Sequence, residues 1–506
     1  MIPEVGQCTA FVESPVNDVN KQNTYTDLAP DLRISRVVTG LWQIADMERD
    51  QQSLDLDHAA RRMKDYTEAR LTSFDMADHY GSAEEIAGIF TRRYAGSDDV
   101  QILTKWVPEP GASSREAVRQ AVQRALDRLQ TDRLNLLQYH AWNYADPSYL
   151  DDLFYLRELQ AEGLIRHLGL TNFDTAHLRI VLESGIDVVS NQICFSLLDQ
   201  RASQDMARLC EDKGVKLLAF GTLAGGFLTE RWLGQPEPSI DGLSTWSQMK
   251  YKRYIDEAGG WTPFQQLLAV VKETADRHGV SMANIASRFV LEQPAVAAVI
   301  IGARLGQSEH IRNNLELMNF ALDEQGRDAV QAAIEGLTPI PGDCGDEYRK
   351  PPFLTASGDL SHHLDALPPP YPTRDGADGR TLALSGTTWE DLAGFSRAVR
   401  KGDRILVSGT TATHGDRVIG GRDPAAQTHF VIDKIEGALQ SLGGYLEDVV
   451  RTRIFIRNID DWEAVSRVHG RRFRDIQPAN TLVTADLIGA DYLVEMEAEA
   501  IVGGVS

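Results

Sequence analysis

Short, nearly unbroken apolar runs alternate with amphipathic stretches along the first two-thirds of the chain. The runs are RVVTGLWQ, TSFDMAD, VQILTKW, LNLLQYH, IRHLGLT, VVSNQ, VKLLAF and AAVIIGA. Between them lie segments such as SREAVRQAVQRALDRL, in which Val118, Val122, Ala125 and Leu129 recur at helical spacing. Strands that are apolar throughout, separated by helices, predict a parallel sheet covered on both faces. Eight such units over residues 25–340 predict a closed (β/α)8 TIM barrel, an α/β fold. A doubly wound sheet is the alternative, but it calls for a glycine-rich phosphate turn after the first strand, which this sequence lacks.

The periodicity stops near residue 340. Residues 341–380, rich in Pro, Gly and Asp and containing PPPYP, read as a linker draped over a surface. Residues 381–506 resume a pattern of another kind. FSRAV and DRILVSGTTAT read as a hairpin. In DPAAQTHFVIDKIEGALQSLGG, Asp423 suits an N-cap, Pro424 the first turn and Gly443 the C-cap, and Phe430, Ile432, Ile435, Leu439 and Leu442 share a face. DVVRTRIFIRN reads as a half-buried strand, with Val450, Thr452, Ile454 and Ile456 alternating with Arg451, Arg453, Phe455 and Arg457. A second helix, WEAVSRVHGRRFRD, and the strands NTLVTADLI and YLVEMEAEAIV complete a small α+β domain.

Composition narrows the function classes. A chain of 506 residues exceeds one ordinary core, in keeping with two domains. A net charge of −22 argues against nucleic-acid binding and against docking on anionic lipid. The four cysteines form no CxxC pair and have no histidine at ligand spacing, so neither a metal site nor a disulfide framework is expected. The start, MIPEVGQCTAFVESPVNDVN, lacks a charged region followed by an apolar run, and no stretch approaches the roughly 18 apolar residues of a membrane span. The expectation is a cytoplasmic protein with a small-molecule substrate.

In a TIM barrel the active site lies at the C-terminal ends of the strands. Those ends hold Trp42, Asp75 with Tyr80, Lys105, His140, Thr171 with Asn172, Gln192, Phe220 with Gly221, and Gly302 with Arg304. Any one alone has a plain reading: a helix cap, a rim aromatic, a solvated lysine, a buried histidine. Their succession carries the signal. FDMADHYG resembles the aldo-keto reductase signature D-x-A-x-x-Y-G, and LTKW, LLQYHAW, GLIRHLGLTNF, LLAFGTLAGGFL and IIGARLGQSEHIRNNL are similar to the following strands and cofactor loop, over roughly residues 25–340.

The resemblance implies hydride exchange between a nicotinamide cofactor and a carbonyl compound, with Asp75, Tyr80, Lys105 and His140 catalytic. Tyrosine titrates near pH 10 in water, so an ammonium at Lys105 is expected to lower the Tyr80 pKa. Asp75 would hold Lys105, and His140 would orient the carbonyl oxygen. The resemblance also implies cofactor contacts from Gly40, Leu41, Trp42, Thr171, Asn172, Gln192, Phe220, Gly221, Leu223, Gly302, Arg304 and Asn314, with Asn313 as a substitute for Asn314. Phe220 would stack on the nicotinamide and Arg304 would favour NADP(H), NAD being the alternative. Trp42, Trp142 and Tyr144 line the substrate pocket or pack beneath it. The loop from Gly226 to Trp261 is expected to decide the substrate.

The C-terminal block resembles the RidA/YjgF family of imine and enamine deaminases, a chorismate-mutase-like fold, through FSRAVRKGDRILVSGTTAT, LEDVVRTRIFIRNIDDW, QPANT and LVEMEAEA. The family's carboxylate-binding arginine is here Asn480, whereas its glutamate is kept as Glu495. The implied role is to process an uncharged imine or enamine, to bind a metabolite, or to assemble the chain as a trimer. A cofactor-binding sensor with little turnover is the alternative to an enzyme.

Overall fold

The computed structural model describes residues 24–48, 52–96, 99–307, 310–356, 358–363 and 368–503. Residues 1–23, with Cys8 and the stretch read for a secretory signal, lie outside them. Eight parallel strands form a closed barrel: β1 (Val37–Gly40), β2 (Ser73–Asp75), β3 (Gln101–Trp106), β4 (Leu134–Tyr139), β5 (Ile165–Thr171), β6 (Ser190–Cys194), β7 (Lys216–Phe220) and β8 (Val296–Gly302). Six fall wholly within an apolar run, β6 continues two residues past its run and β8 begins one residue before its own; β8 returns to β1 with Gly302 opposite Gly40. The amphipathic stretches form the outer helices. Ser114 caps Arg115–Leu129, whose buried face includes Val118, Val122, Ala125 and Leu129. A hairpin, Tyr25–Ala29 with Leu32–Ser35, closes the barrel floor by packing Leu28, Leu32 and Ile34 against Leu103, Leu136 and Leu218.

The C-terminal domain has a seven-stranded sheet: β9 (Thr373–Asp375), β10 (Arg380–Ala383), β11 (Ala398–Lys401), β12 (Arg404–Thr411), β13 (Val449–Ile456), β14 (Ala479–Thr484) and β15 (Val494–Ile501), in the order β9-β10-β11-β12-β15-β13-β14. Helices Pro424–Ser441 and Trp462–Arg472 accompany it. The Asp423 side chain accepts from the Ala426 N–H, and the long helix ends at Ser441 with Gly443 in the left-handed region two residues on. One expectation fails. Val450 is exposed, because a register shift between Val449 and Arg451 puts Val449 on the buried face instead.

The segment read as a linker is built into both domains. Cys344, Glu347, Arg349, Leu354, Thr355 and Tyr371 are buried, and β9 and β10 already belong to the second sheet. Residues 343–355 form a strap across the barrel mouth. Gly345 makes the approach possible: its φ is +81°, and a Cβ there would fall 1.9 Å from the Asn172 carbonyl oxygen.

The domains meet through the long helix. Gly437 lies against the barrel loop so closely that a Cβ would fall 2.3 Å from the Ala145 carbonyl oxygen. His177, on barrel helix Thr175–Glu183, bridges Asp174 at 2.6 Å and Asp433 of the long helix at 3.0 Å. Asp433 also pairs with Arg472, which reaches Glu436 at 2.6 Å. Burial alone would depress the His177 pKa, but the charges of Asp174 and Asp433 outweigh it and hold the imidazole up at about 9. Among the described residues no helix is long and apolar enough to cross a membrane.

Candidate active site

The barrel register brings the polar strand ends to one mouth. Lys105 Nζ donates to Asp75 Oδ2 and to the Met76 carbonyl oxygen, each at 2.7 Å. Gln192 Nε2 donates to Asp75 Oδ1 at 2.7 Å and Gln138 Nε2 to the same oxygen at 3.2 Å. Both carboxylate oxygens are thereby satisfied in a fully buried setting, as a buried charge requires. Gln192, expected to hold a cofactor amide, has its Nε2 committed to Asp75 and to Gln138 Oε1 at 3.0 Å. Gln138 was not foreseen; it sits in the interior of β4, where only the barrel's closure turns it towards Asp75.

Tyr80 stands at the rim against Trp42, ring centroids 4.9 Å apart, and against His79 at the same separation. The Lys105 ammonium faces the Tyr80 ring at 4.9 Å from its centroid. This corrects the expectation that Lys105 lowers the Tyr80 pKa. Burial, reinforced by the charge of Asp75, holds the phenol well above its usual range, and the ammonium is itself spent on Asp75. The phenol is therefore protonated at neutral pH. His140 is buried, and among the described residues neither ring nitrogen makes a well-formed hydrogen bond, the Thr171 backbone being a polar neighbour. Burial and the charge of Arg349 push its pKa well down, so the imidazole is neutral.

These groups open on a cavity of about 1520 Å³, larger than most single-ligand pockets. Its wall includes Gly40, Trp42, Thr171, Asn172, Phe220, Gly221, Leu223, Gly302, Arg304, Asn313 and Asn314. Two sequence candidates lie elsewhere. Leu41 is wholly buried in the core beneath the strand end. Tyr144 belongs to the domain interface, stacked on His177 at 3.4 Å and under the Arg349 guanidinium at 4.5 Å. Trp142 does line the cavity, and its Nε1 donates to the Pro108 carbonyl oxygen at 2.7 Å.

The residues present fit a nicotinamide dinucleotide. The cavity has room for it beside a substrate. Asn172, held in the left-handed region at φ +58°, presents a buried Oδ1 without a partner. Gly221, at φ +79°, keeps the backbone bare beside Phe220. Arg304 pairs with Asp46 at 2.6 Å, so its guanidinium is already partly neutralised.

Three further residues face this cavity from outside the barrel motifs: Lys250 from the helix Trp246–Glu257, Tyr348 from the strap, and His363, whose ring lies 4.6 Å from Trp142. No periodic signal marks them. The nearest sequence hint for Tyr348 is its place in DEYRK, a cluster of charges inside an otherwise linker-like stretch.

In the second domain the structure does not bring Asn480 and Glu495 together within one chain. Asn480, on the edge strand β14, donates to Thr452 Oγ1 at 2.9 Å and is paired with Thr452. Glu495 faces Phe455, three positions along the intervening strand, a displacement of about 10 Å. Burial raises the Glu495 pKa.

Comparison with known proteins agrees with this architecture. The sequence profile of the aldo/keto reductase family matches residues 36–335, and that described as endoribonuclease L-PSP matches residues 387–502. Protein tas of Escherichia coli is 30% identical over 251 residues, 45% of this chain and 68% of its own length. A glycerol dehydrogenase from Gluconobacter oxydans shares the fold at 21% identity, covering 63% of this chain and 98% of its own, with a TM-score of 0.53. A member of the YjgF/YER057c/UK114 family from Mycobacterium tuberculosis is 43% identical over 24% of this chain and 99% of its own, with a TM-score of 0.23.

Proposed function

The chain belongs to the aldo/keto reductase family through its barrel, with a YjgF-type domain after it, and on that premise we propose an NADP(H)-dependent carbonyl reductase in which Tyr80 supplies the proton. The observation that supports this reading best is the convergence of Tyr80 and the neutral His140 at the mouth of one large cavity, above the buried Lys105–Asp75 pair.

The bound nicotinamide nucleotide supplies the hydride to the carbonyl carbon, or accepts it from the alcohol in the reverse direction. The chain's own groups handle the oxygen. Neutral His140 donates a hydrogen bond that orients it. Tyr80, loaded with its proton, transfers that proton to the oxygen as negative charge develops there. Lys105 stabilises the phenolate left behind; burial pulls its own pKa down, and Asp75 opposes that pull and holds the ammonium in place. Asn172 and Thr171 would hold the nicotinamide amide and Phe220 its ring, while Arg304 would meet a 2′-phosphate.

For the second domain we propose ligand binding or assembly in place of 2-imino acid deamination, since Asn480 offers neither the charge nor the fork of an arginine. Its sheet exposes Leu406 and Val483, which supports association of copies through that surface.

The test is NADPH consumption by the purified chain on aldehydes and ketones, beside Tyr80→Phe. Loss of turnover with NADPH still bound supports the assignment. Unchanged turnover overturns it, and tight NADPH binding without turnover on any compound favours a sensor.

A further inference from the structure

Lys250 and Tyr348 form a pair at the wall of the same cavity. Lys250 Nζ donates to the Tyr348 hydroxyl oxygen at 2.9 Å. Tyr348 in turn lies edge-on to His140, ring centroids 5.7 Å apart. The ammonium is boxed by the rings of Tyr348 at 4.8 Å, Phe220 at 4.9 Å, Tyr251 at 5.4 Å and Tyr254 at 5.8 Å. Both side chains are half-buried and face the cavity.

The pair differs from the buried and half-buried cations of this wall in its lack of an anion; Arg231, which also has no carboxylate partner among the described residues, is exposed at the outer edge. Lys105 is neutralised by Asp75, and Arg304 by Asp46. Lys250 has no carboxylate within ion-pair reach among the described residues. Glu347, next to Tyr348 in sequence, binds Arg201 instead, at 2.8 Å. The Tyr348 oxygen accepts from Lys250, so its own proton is free to donate, and it has no acceptor among the described residues. An ammonium with unused N–H groups and a hydroxyl with an unused O–H thus sit beside the imidazole that meets the carbonyl.

We infer that Lys250 and Tyr348 bind an anionic group on the substrate, so that the enzyme reduces short carbonyl compounds that carry a carboxylate, or oxidises the corresponding hydroxy acids. The inference rests on the carbonyl-reductase reading above and names the substrate class of that site. An acid group would replace the missing counter-ion, with one oxygen on Lys250 Nζ and the other on the Tyr348 hydroxyl. The carbonyl of the same molecule would then lie towards His140 and Tyr80. The aromatic box leaves the ammonium poorly hydrated, which strengthens its attraction for an acid and disfavours an unpaired state.

The test compares 4-oxobutanoate with its methyl ester, which has the same aldehyde and no charge. In the wild type the acid is expected to show the higher kcat/KM. Lys250→Met is expected to lower that value for the acid about ten- to hundredfold, the worth of a charge-assisted hydrogen bond, and to leave the ester within about twofold. Tyr348→Phe is expected to raise KM for the acid while kcat for the ester holds. An acid-to-ester ratio unchanged in Lys250→Met overturns the inference. So does a rise in KM for NADPH with the ratio intact, which would assign the ammonium to the cofactor. If neither aldehyde turns over, calorimetry of succinate and its dimethyl ester on the NADPH-bound protein decides. Absence of a preference for the diacid overturns the inference, whereas a preference lost in Lys250→Met upholds the anion site even though the reductase reading has failed.

Discussion

Lys105 Nζ lies 4.9 Å from the centroid of the Tyr80 ring and 2.7 Å from Asp75 Oδ2. The lysine is thus placed to stabilise a phenolate after the proton has left, while burial keeps the proton on beforehand. With the Tyr80 pKa held well above 10, kcat/KM for reduction is expected to show no alkaline loss from this group between pH 6 and pH 9. A rate profile of wild type beside Lys105→Met checks this. A wild-type rate that falls with a midpoint near pH 8 would contradict the electrostatics. Lys105→Met is expected to cost about a hundredfold or more in kcat.

Cofactor choice hinges on a contest for one guanidinium. Asp46 now holds Arg304 at 2.6 Å. Asp46→Asn is expected to free Arg304 for a 2′-phosphate and raise the NADPH-over-NADH preference about tenfold. Arg304→Ala is expected to reduce that preference. Ratios of kcat/KM with the two cofactors give the answer, and two unchanged ratios would remove Arg304 from the cofactor site.

The domain interface is expected to respond to pH through His177. Its folded pKa, about 9, lies above the ordinary value of 6.5. The charged imidazole therefore contributes fully below about pH 6.5, and the contribution fades as pH rises through about 9. Melting temperatures at pH 6.5 and pH 9.5 should differ less in His177→Gln than in wild type, and parallel curves would remove the histidine from the linkage. Asp433→Ala, which leaves His177 only Asp174 and Arg472 only Glu436, is expected to cost about 1–3 kcal/mol at neutral pH.

Two helical glycines should respond oppositely to the same change. A Cβ on Gly437 would meet the Ala145 carbonyl oxygen at 2.3 Å, so Gly437→Ala must push the helix from the barrel and is expected to destabilise by about 1–3 kcal/mol. A Cβ on Gly470 meets nothing within 4 Å, so Gly470→Ala is expected to stabilise by about 0.5–1 kcal/mol. Paired thermal melts read both signs.

The barrel was legible because its strands are apolar on both faces and its helices keep a 3.6-residue period; all eight strands coincide with runs that can be marked by eye, to within two residues. Asp75, Tyr80, Lys105 and His140 were legible for a related reason, since each lies at or just past a strand end and strand ends are countable. Residues 343–355 were not. Tyr348, Arg349 and Glu347 each meet a distant partner, and a segment anchored by such single non-local contacts carries no period. Pro and Gly then gave it the composition of a spacer. Leu41 was misplaced because nearness to a strand end does not say which way a side chain points, and for the same reason Tyr144 stayed open between pocket and packing until the interface decided it. Lys105's relation to Tyr80 depends on the reach of a four-carbon stem, which spacing alone does not set.

Arg349 donates at once to the carbonyl oxygen of Ala141, the residue after His140, and to that of Asn172, at 2.8 Å and 2.7 Å. Two neighbouring strand ends of the barrel therefore take their backbone support from a side chain that comes after the barrel in the chain. A barrel excised at residue 340 would keep every residue of its signature and lose the brace beneath two of them. The boundary that the hydrophobic pattern draws and the boundary of the unit that can work are different, and any attempt to separate, swap or recombine these halves should cut beyond the brace.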